Sequence, residues 1–229
     1  MKLGVMQPYF MPYLGYYQLI KAVDLYVVFD DVNYIKRGWS AQNNILINGQ
    51  KYLFHIDVQN GSQNSLYCDV IIIDDFVRLR KTIEMNYKRA PYFVQTVGVL
   101  DSIFSYFDKR FNYFVLHSFQ QVLSYLGINT QLVLSSTIQN DKELKGKDKI
   151  LDICRILNAD VYINAIGGQE LYDKEDFKKE GIELRFLRPQ LMTYPQFSKE
   201  FVPSLSMIDV MMFNSVEEIV KMLDNYELI

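Results

Sequence analysis

The chain has 229 residues, 49% hydrophobic and 22% charged, with a formal net charge of −3. That composition is ordinary for a globular fold with a sizeable core, and its acidic balance removes the electrostatic basis for nucleic-acid binding, which rests on neutralising phosphates. No run approaches the ~20 apolar residues of a membrane span, and the N-terminus reaches Gln7-Pro8 before any apolar run of signal-peptide length.

Residues 2–6 (KLGVM) and 24–30 (DLYVVFD) are predicted as short buried strands. Between them Leu14, Tyr17, Leu19, Ile20 and Val23 recur at helical spacing. Strand, helix and strand in this length make a βαβ unit, whose strands run parallel. Residues 43–58 hold two strands around Asn48-Gly49, a strong hairpin signal, and CDVIIID (68–74) adds another apolar strand.

Residues 75–127 are predicted as a helical block, with Pro91 in a first helical turn and Gly127 at a helix C-terminus. Alternation then resumes. QLVLSS is a strand, and GKDKILDICRILNA a helix with Ile150, Ile153, Cys154 and Leu157 on one face. DVYINA is a strand, KEDFKKEG a short helix and IELRFL a strand; two helices close the chain, the second capped by Ser215. The expected fold is α/β: a mainly parallel sheet flanked by helices, nucleotidyltransferase-like or Rossmann-like, in one domain (1–229) with a helical insertion (75–127).

Ligands of open α/β sheets bind outside the carboxyl ends of the strands, which selects four loops. The first carries Gln7, Tyr9, Tyr13 and Tyr16, stiffened by Pro8 and Pro12. Its Tyr13-Leu14-Gly15-Tyr16 has the spacing of the H-x-G-H part of the HIGH-signature nucleotidyltransferases, which hold nucleotide phosphates at a helix N-terminus. Here phenols replace the imidazoles and supply no cation. The loop forms either a ligand wall, with Gly15 allowing close backbone approach, or an aromatic plug on the sheet end.

The second loop places Asp30 and Asp31 before Lys36, Arg37, Trp39 and Asn43. Paired carboxylates can orient an amine, bind a metal or accept a proton. Lys36 and Arg37 can hold phosphate, and Trp39 can stack on a sugar or base; the alternative is a salt-bridged loop with a core tryptophan. The third loop offers Ser135, Ser136 and a lysine run of Lys142, Lys145, Lys147 and Lys149, for phosphate capture or as a solvated face. The fourth places Gly167-Gly168 after Asn164, where a glycine pair can turn backbone N–H groups toward an anion. His55 and His117 sit in apolar patterns and are expected as core or boundary residues. No metal-ligand spacing and no covalent nucleophile motif is present. Cys68 and Cys154 form no metal or redox motif, so two buried thiols in a reduced, cytoplasmic setting are expected.

Three blocks, QPYFMPYLGYYQLIKAVDLYVVFDDVNYIKRGW, KGKDKILDICRILNADVYINAIGGQELYD and YPQFSKEFVPSLSMIDVMMFN, together resemble the WbqC-like protein family across almost the whole chain. NAIGG stands where that family usually has a Gly-Pro-Gly-Gly-like turn. The resemblance implies a surface-polysaccharide or O-antigen setting. It points to a transferase or ligase acting on a nucleotide-linked sugar, an amino sugar by class, that adds an acyl or aminoacyl group. Asp30 or Asp31 would then accept the proton; the cofactor is left open, an ATP-dependent ligase with Mg²⁺ being the option that the HIGH-like spacing of Tyr13–Tyr16 adds. The alternative is a non-catalytic nucleotide- or sugar-binding protein on a degenerate nucleotidyltransferase-like scaffold.

Overall fold

In the computed structural model, which describes residues 1–190 and 192–229, the chain begins with β1 (Lys2–Met6), α1 (Leu14–Ala22) and β2 (Leu25–Val28). A hairpin of β3 (Gln42–Ile47) and β4 (Gln50–His55) follows, then a short ribbon of β5 (Val58–Gln59) and β6 (Ile71–Ile72). Three helices come next: α2 (Val77–Tyr87), α3 (Phe93–Phe104) and α4 (Phe111–Leu126). Alternation returns with β7 (Gln131–Leu134), α5 (Gly146–Ile156), β8 (Val161–Ala165), α6 (Lys174–Lys179) and β9 (Glu183–Pro189). The chain closes with α7 (Met207–Phe213), α8 (Val216–Leu223) and β10 (Tyr226–Leu228).

Six strands make one sheet in the order β10-β9-β8-β1-β2-β7. All its pairs are parallel except β10 with β9. The fold is therefore α/β with a mainly parallel, Rossmann-like sheet. The period-2 strands divide their side chains between two cores. Leu3, Val5, Val27 and Tyr162 pack with α5 and α6 residues such as Ile153 and Phe177. Tyr26, Val28 and Ile163 face the larger core, which holds Tyr17, Phe119, Met211 and Leu223. Each such side chain contributes about 1.5–3 kcal/mol on full burial.

The chain winds from β1 outward through β2 to β7, then returns to place β8 on the other side of β1. Parallel strands send the loops 7–13, 29–41, 135–145 and 166–173 to one edge of the sheet. The long connection from β9 to α7 leaves from the same edge. This is the ligand-binding edge of such folds.

Three elements differ from the sequence expectation, each for a local reason. β2 ends at Val28, because the Asp30 N–H turns to the Ser135 hydroxyl (3.0 Å) instead of a neighbouring strand. CDVIIID yields only Ile71–Ile72, since Tyr67–Asp69 form a 3-10 turn and the Asp74 carboxylate accepts the Phe76 N–H (2.6 Å). β10 lacks the alternation that marks a strand and is held by its antiparallel register on β9 (Leu228 opposite Leu187). The hairpin turn is as expected: Asn48 and Gly49 both take positive φ (51° and 76°), the geometry that matches strand twist.

Candidate functional site

The loop after β1 is clamped from three sides. The Phe10 N–H donates to the Ser40 carbonyl (2.8 Å), while the Met11 carbonyl accepts both Asn43 Nδ2 (2.9 Å) and Ser206 Oγ (2.6 Å). The Met207 N–H donates to the Pro12 carbonyl (2.9 Å). These bonds hold Met11 at φ 43°, a conformation costly for a side chain with a Cβ. Strain of this kind persists only where the surroundings over-determine it, and it clusters at ligand sites.

Clamped so, the loop turns Tyr9 and Tyr13 into a 250 Å³ cleft that Trp39 completes. Asn43, Asn44 and Lys51 supply its polar side. Trp39 is 53% exposed and Tyr13 39%, so two aromatic faces stand open to solvent rather than in the core. Burial pushes the Tyr9 phenol up to about 12 and raises that of Tyr13, so both rings are neutral donors and stacking surfaces. Ser204, on the rim, is a second strained residue (φ 59°). An aromatic wall with two amides and one ammonium suits a sugar or base bearing an anionic group.

Gly15 serves the tyrosine rather than a phosphate. A Cβ at Gly15 would lie 2.5 Å from the Tyr13 ring and 3.0 Å from Pro189. Tyr16 does not reach the cleft. It is 2% exposed, packed on Phe119 and Tyr26, with its hydroxyl donating to the Gln7 carbonyl.

Asp30 and Asp31 form a network at the ends of β2 and β7. Asp30 is fully buried and accepts three donors: Ser136 N (2.8 Å), Ser136 Oγ (2.7 Å) and Asn112 Nδ2 (2.6 Å); the single Ser135 hydroxyl hydrogen goes to Asp31. Asp30 ties β2 to β7 and α4. Asp31 accepts from Ser135 Oγ, from Lys142 Nζ (2.9 Å) and from Lys149 Nζ (3.0 Å). Burial alone would raise its carboxyl; the Ser135 hydroxyl and the two ammonium groups outweigh that and hold it below the usual value. A carboxylate so held is a weak proton acceptor and a strong anchor for lysines.

Asp31 lines a second cleft of 470 Å³ with Asn33, Ser136, Lys142, Lys145 and Lys149. Its far wall is Gly146, the first residue of α5, whose N-terminus adds backbone N–H groups favourable to an anion. Cys68 also lines it, only partly buried, with its thiol pushed up to about 11 by desolvation and then by the neighbouring carboxylates. It is a poor nucleophile at neutral pH. The expectation of two buried thiols holds for Cys154 alone.

A family model described as the WbqC-like protein family matches residues 7–221. The chain belongs to the WbqC-like protein family. It is also 27% identical over 218 residues to an uncharacterized protein, Rv1507c, of Mycobacterium tuberculosis (strain ATCC 25618 / H37Rv), covering 92% of each chain. No solved structure matches it.

In this WbqC-like chain the remaining candidates stand apart from both clefts. Lys36 and Arg37 are exposed on the loop between them, Arg37 at φ 61°. Lys147 points to α6, where it pairs with Asp176. Asn164 is buried, its Oδ1 accepting the Ala165 N–H (2.7 Å), and Gly167 and Gly168 lie in the 3-10 turn Ile166–Leu171. His117 stacks on Tyr106 at 4.0 Å, whereas His55 is solvent-exposed on β4. Among the described residues no helix is long and apolar enough to cross a membrane.

Lys51 was missed in the sequence. It follows the hairpin turn and looked like a strand-edge solvating charge; only the hairpin's packing beside Trp39 reveals it. Lys149 belongs to the lysine run expected to capture phosphate, and it lines the second cleft with Lys142 and Lys145. It stands four residues before Ile153, on the apolar face of α5, and is 2% exposed.

Proposed function

We propose that the protein binds a nucleotide-linked sugar, an amino sugar by class, and places an acyl or aminoacyl group on it during assembly of a surface polysaccharide. The reading is carried by the two clefts on the carboxyl edge, one aromatic and amide-lined, the other lysine-lined, which share the loop between β2 and β3. The sugar or base would stack on Trp39 and Tyr13, and the phosphates would meet Lys142, Lys145 and the α5 N-terminus. Asp31 acts in this scheme by positioning Lys142 and Lys149. ATP with Mg²⁺ in the HIGH manner fits these residues poorly, since Tyr16 is in the core and Asp31 is engaged by lysines. No adenylation step is included.

A second reading, binding without turnover, is favoured by the aspartates themselves. Asp30 has no exposed surface, and Asp31 is held below the ordinary carboxylate value. Thermal-shift titration with UDP-N-acetylglucosamine, UDP, ATP and free amino acids, followed by mass spectrometry for modified sugar nucleotide, separates the two. A shift with the sugar nucleotide and a mass increase on the sugar supports the transferase. A shift with no product under any donor supports the binding protein, and no shift with any nucleotide overturns both.

A further inference from the structure

On the other side of Tyr13 lies a third cleft of 330 Å³, between the start of α1 and the strap that joins β9 to α7. Tyr13 and Ser204 belong to both this cleft and the aromatic one. Its walls are apolar and aromatic: Leu14 and Pro189 on the body, Met192, Tyr194 and Phe201 on the strap, Val210 from α7. The strap, Met192–Leu205, has no regular structure among its described residues, an unusual length for a plain connector. Buried Asp209 fastens it by accepting Tyr194 Oη (2.8 Å) and Gln196 Nε2 (3.2 Å).

Three polar side chains, Gln18, Gln190 and Ser204, interrupt the apolar lining, and Gln18 is the fully buried one. Gln18, on α1, lines the cleft and has no exposed surface. Both amide protons are spent, Nε2 donating to the carbonyls of Met222 (2.8 Å) and Asn225 (3.0 Å). The amide is thereby fixed in one orientation, because a flip would set its oxygen against two carbonyls. Oε1 is left buried with no hydrogen-bond partner. An unpaired buried acceptor costs about 1–3 kcal/mol, and each such group in a native fold calls for an explanation. The other wall of the cleft is the strap, whose partly buried Met192 is flexible enough to give way to a guest.

We propose that this cleft seats the apolar body of a small acyl-type group whose neutral N–H or O–H donates to Gln18 Oε1. No acidic side chain lines the cleft, which favours a neutral donor over an ammonium group. The identity of this guest as the group to be transferred rests on the transferase reading above. The existence of the cleft does not. Tyr13 and Ser204, shared by both clefts, would hold donor and sugar on either side of one ring.

Methyl NMR of the whole protein tests this with three probes of the same chain length: hexanamide, methyl hexanoate and hexanoate. Hexanamide should shift the methyls of Leu14, Met192, Leu205 and Val210. Methyl hexanoate, which has no donor, and hexanoate, which is charged, should bind at least fivefold more weakly. In Gln18→Leu the preference for hexanamide should vanish. Should that variant fail to fold, Met192→Trp, which fills the cleft from the strap and leaves α1 intact, must abolish the shifts. Equal binding of all three probes, shifts elsewhere on the protein, or shifts that survive Met192→Trp overturn the proposal. Because the assay needs no turnover, a protein that transfers nothing yet shows the hexanamide shifts loses the transferase reading and keeps the cleft.

Discussion

Lys149 reaches back from the first turn of α5 to make two contacts with Asp31, its Nζ standing 3.0 Å from both the carboxylate and the backbone carbonyl. Lys149 is 2% exposed and Asp31 8%, so the pair is largely buried at the floor of the cleft, and Lys142 completes it from the solvent side. Removing the carboxylate charge leaves an ammonium group in the interior. Asp31→Asn should therefore cost about 3 kcal/mol, the scale for breaking a buried ion pair, read as a lower denaturant midpoint. A stability within a few tenths of a kcal/mol of the parent would contradict a structural role and return Asp31 to chemistry.

The same pair sets a pH dependence. The folded Asp31 carboxyl lies below its usual value of 3.8, so its contribution is complete above that value and is lost as pH falls through the lowered one. The stability gap between the parent and Asp31→Asn should narrow in acid below about pH 4. A gap that stays constant down to the acid transition argues against the pairing.

Asp209 has the opposite sign. It is buried, with no cation beside it among the described residues, and desolvation outweighs the donors Tyr87, Tyr194 and Gln196, raising its carboxyl. Between pH 3.8 and the raised value the native state holds a proton that the unfolded chain has released. Stability from this group is full at low pH and falls as pH rises from 3.8 through the raised value. Asp209→Asn should be more damaging in acid than at neutral pH, its deficit shrinking as pH rises. Denaturant midpoints across that range check it, and a pH-independent deficit would contradict it.

Gly15→Ala separates fold from site. Gly15 lies in the first turn of α1, where alanine gains at most about 1 kcal/mol over glycine, and the new methyl meets Pro189 and the Tyr13 ring, a half-exposed side chain that can swing away. Stability should change by less than about 1 kcal/mol, while affinity for a sugar nucleotide drops. Unchanged affinity would remove Tyr13 from the site.

The parallel sheet was legible because its strands are apolar runs at βαβ spacing, and the edge at which such folds bind ligand follows from that topology. Among the candidates, Tyr9, Tyr13, Trp39 and Asn43 meet in one cleft because bonds from Ser40, Asn43 and Ser206 fold the first loop toward the hairpin. That convergence depends on Ser206, which lies near the far end of the chain, and no local pattern announces it. Asp30 and Asp31 look alike in sequence, yet one is enclosed by three donors and the other borders a cleft. The difference is made by Ser135, Ser136 and Asn112, all remote in sequence. Lys51 and Gln18 carry no signal of their own, since a strand-edge lysine and a helical glutamine are ordinary solvated residues elsewhere.

The central claim is that the aromatic and the lysine-lined clefts grip one molecule together. Calorimetric titration of UDP-N-acetylglucosamine and of UDP against the parent, Trp39→Ala and Lys142→Ala tests it most directly. Trp39→Ala should weaken the sugar nucleotide by roughly tenfold, about 1.4 kcal/mol, and UDP by less; Lys142→Ala should weaken both. Sugar-nucleotide affinity that neither substitution alters would contradict the claim.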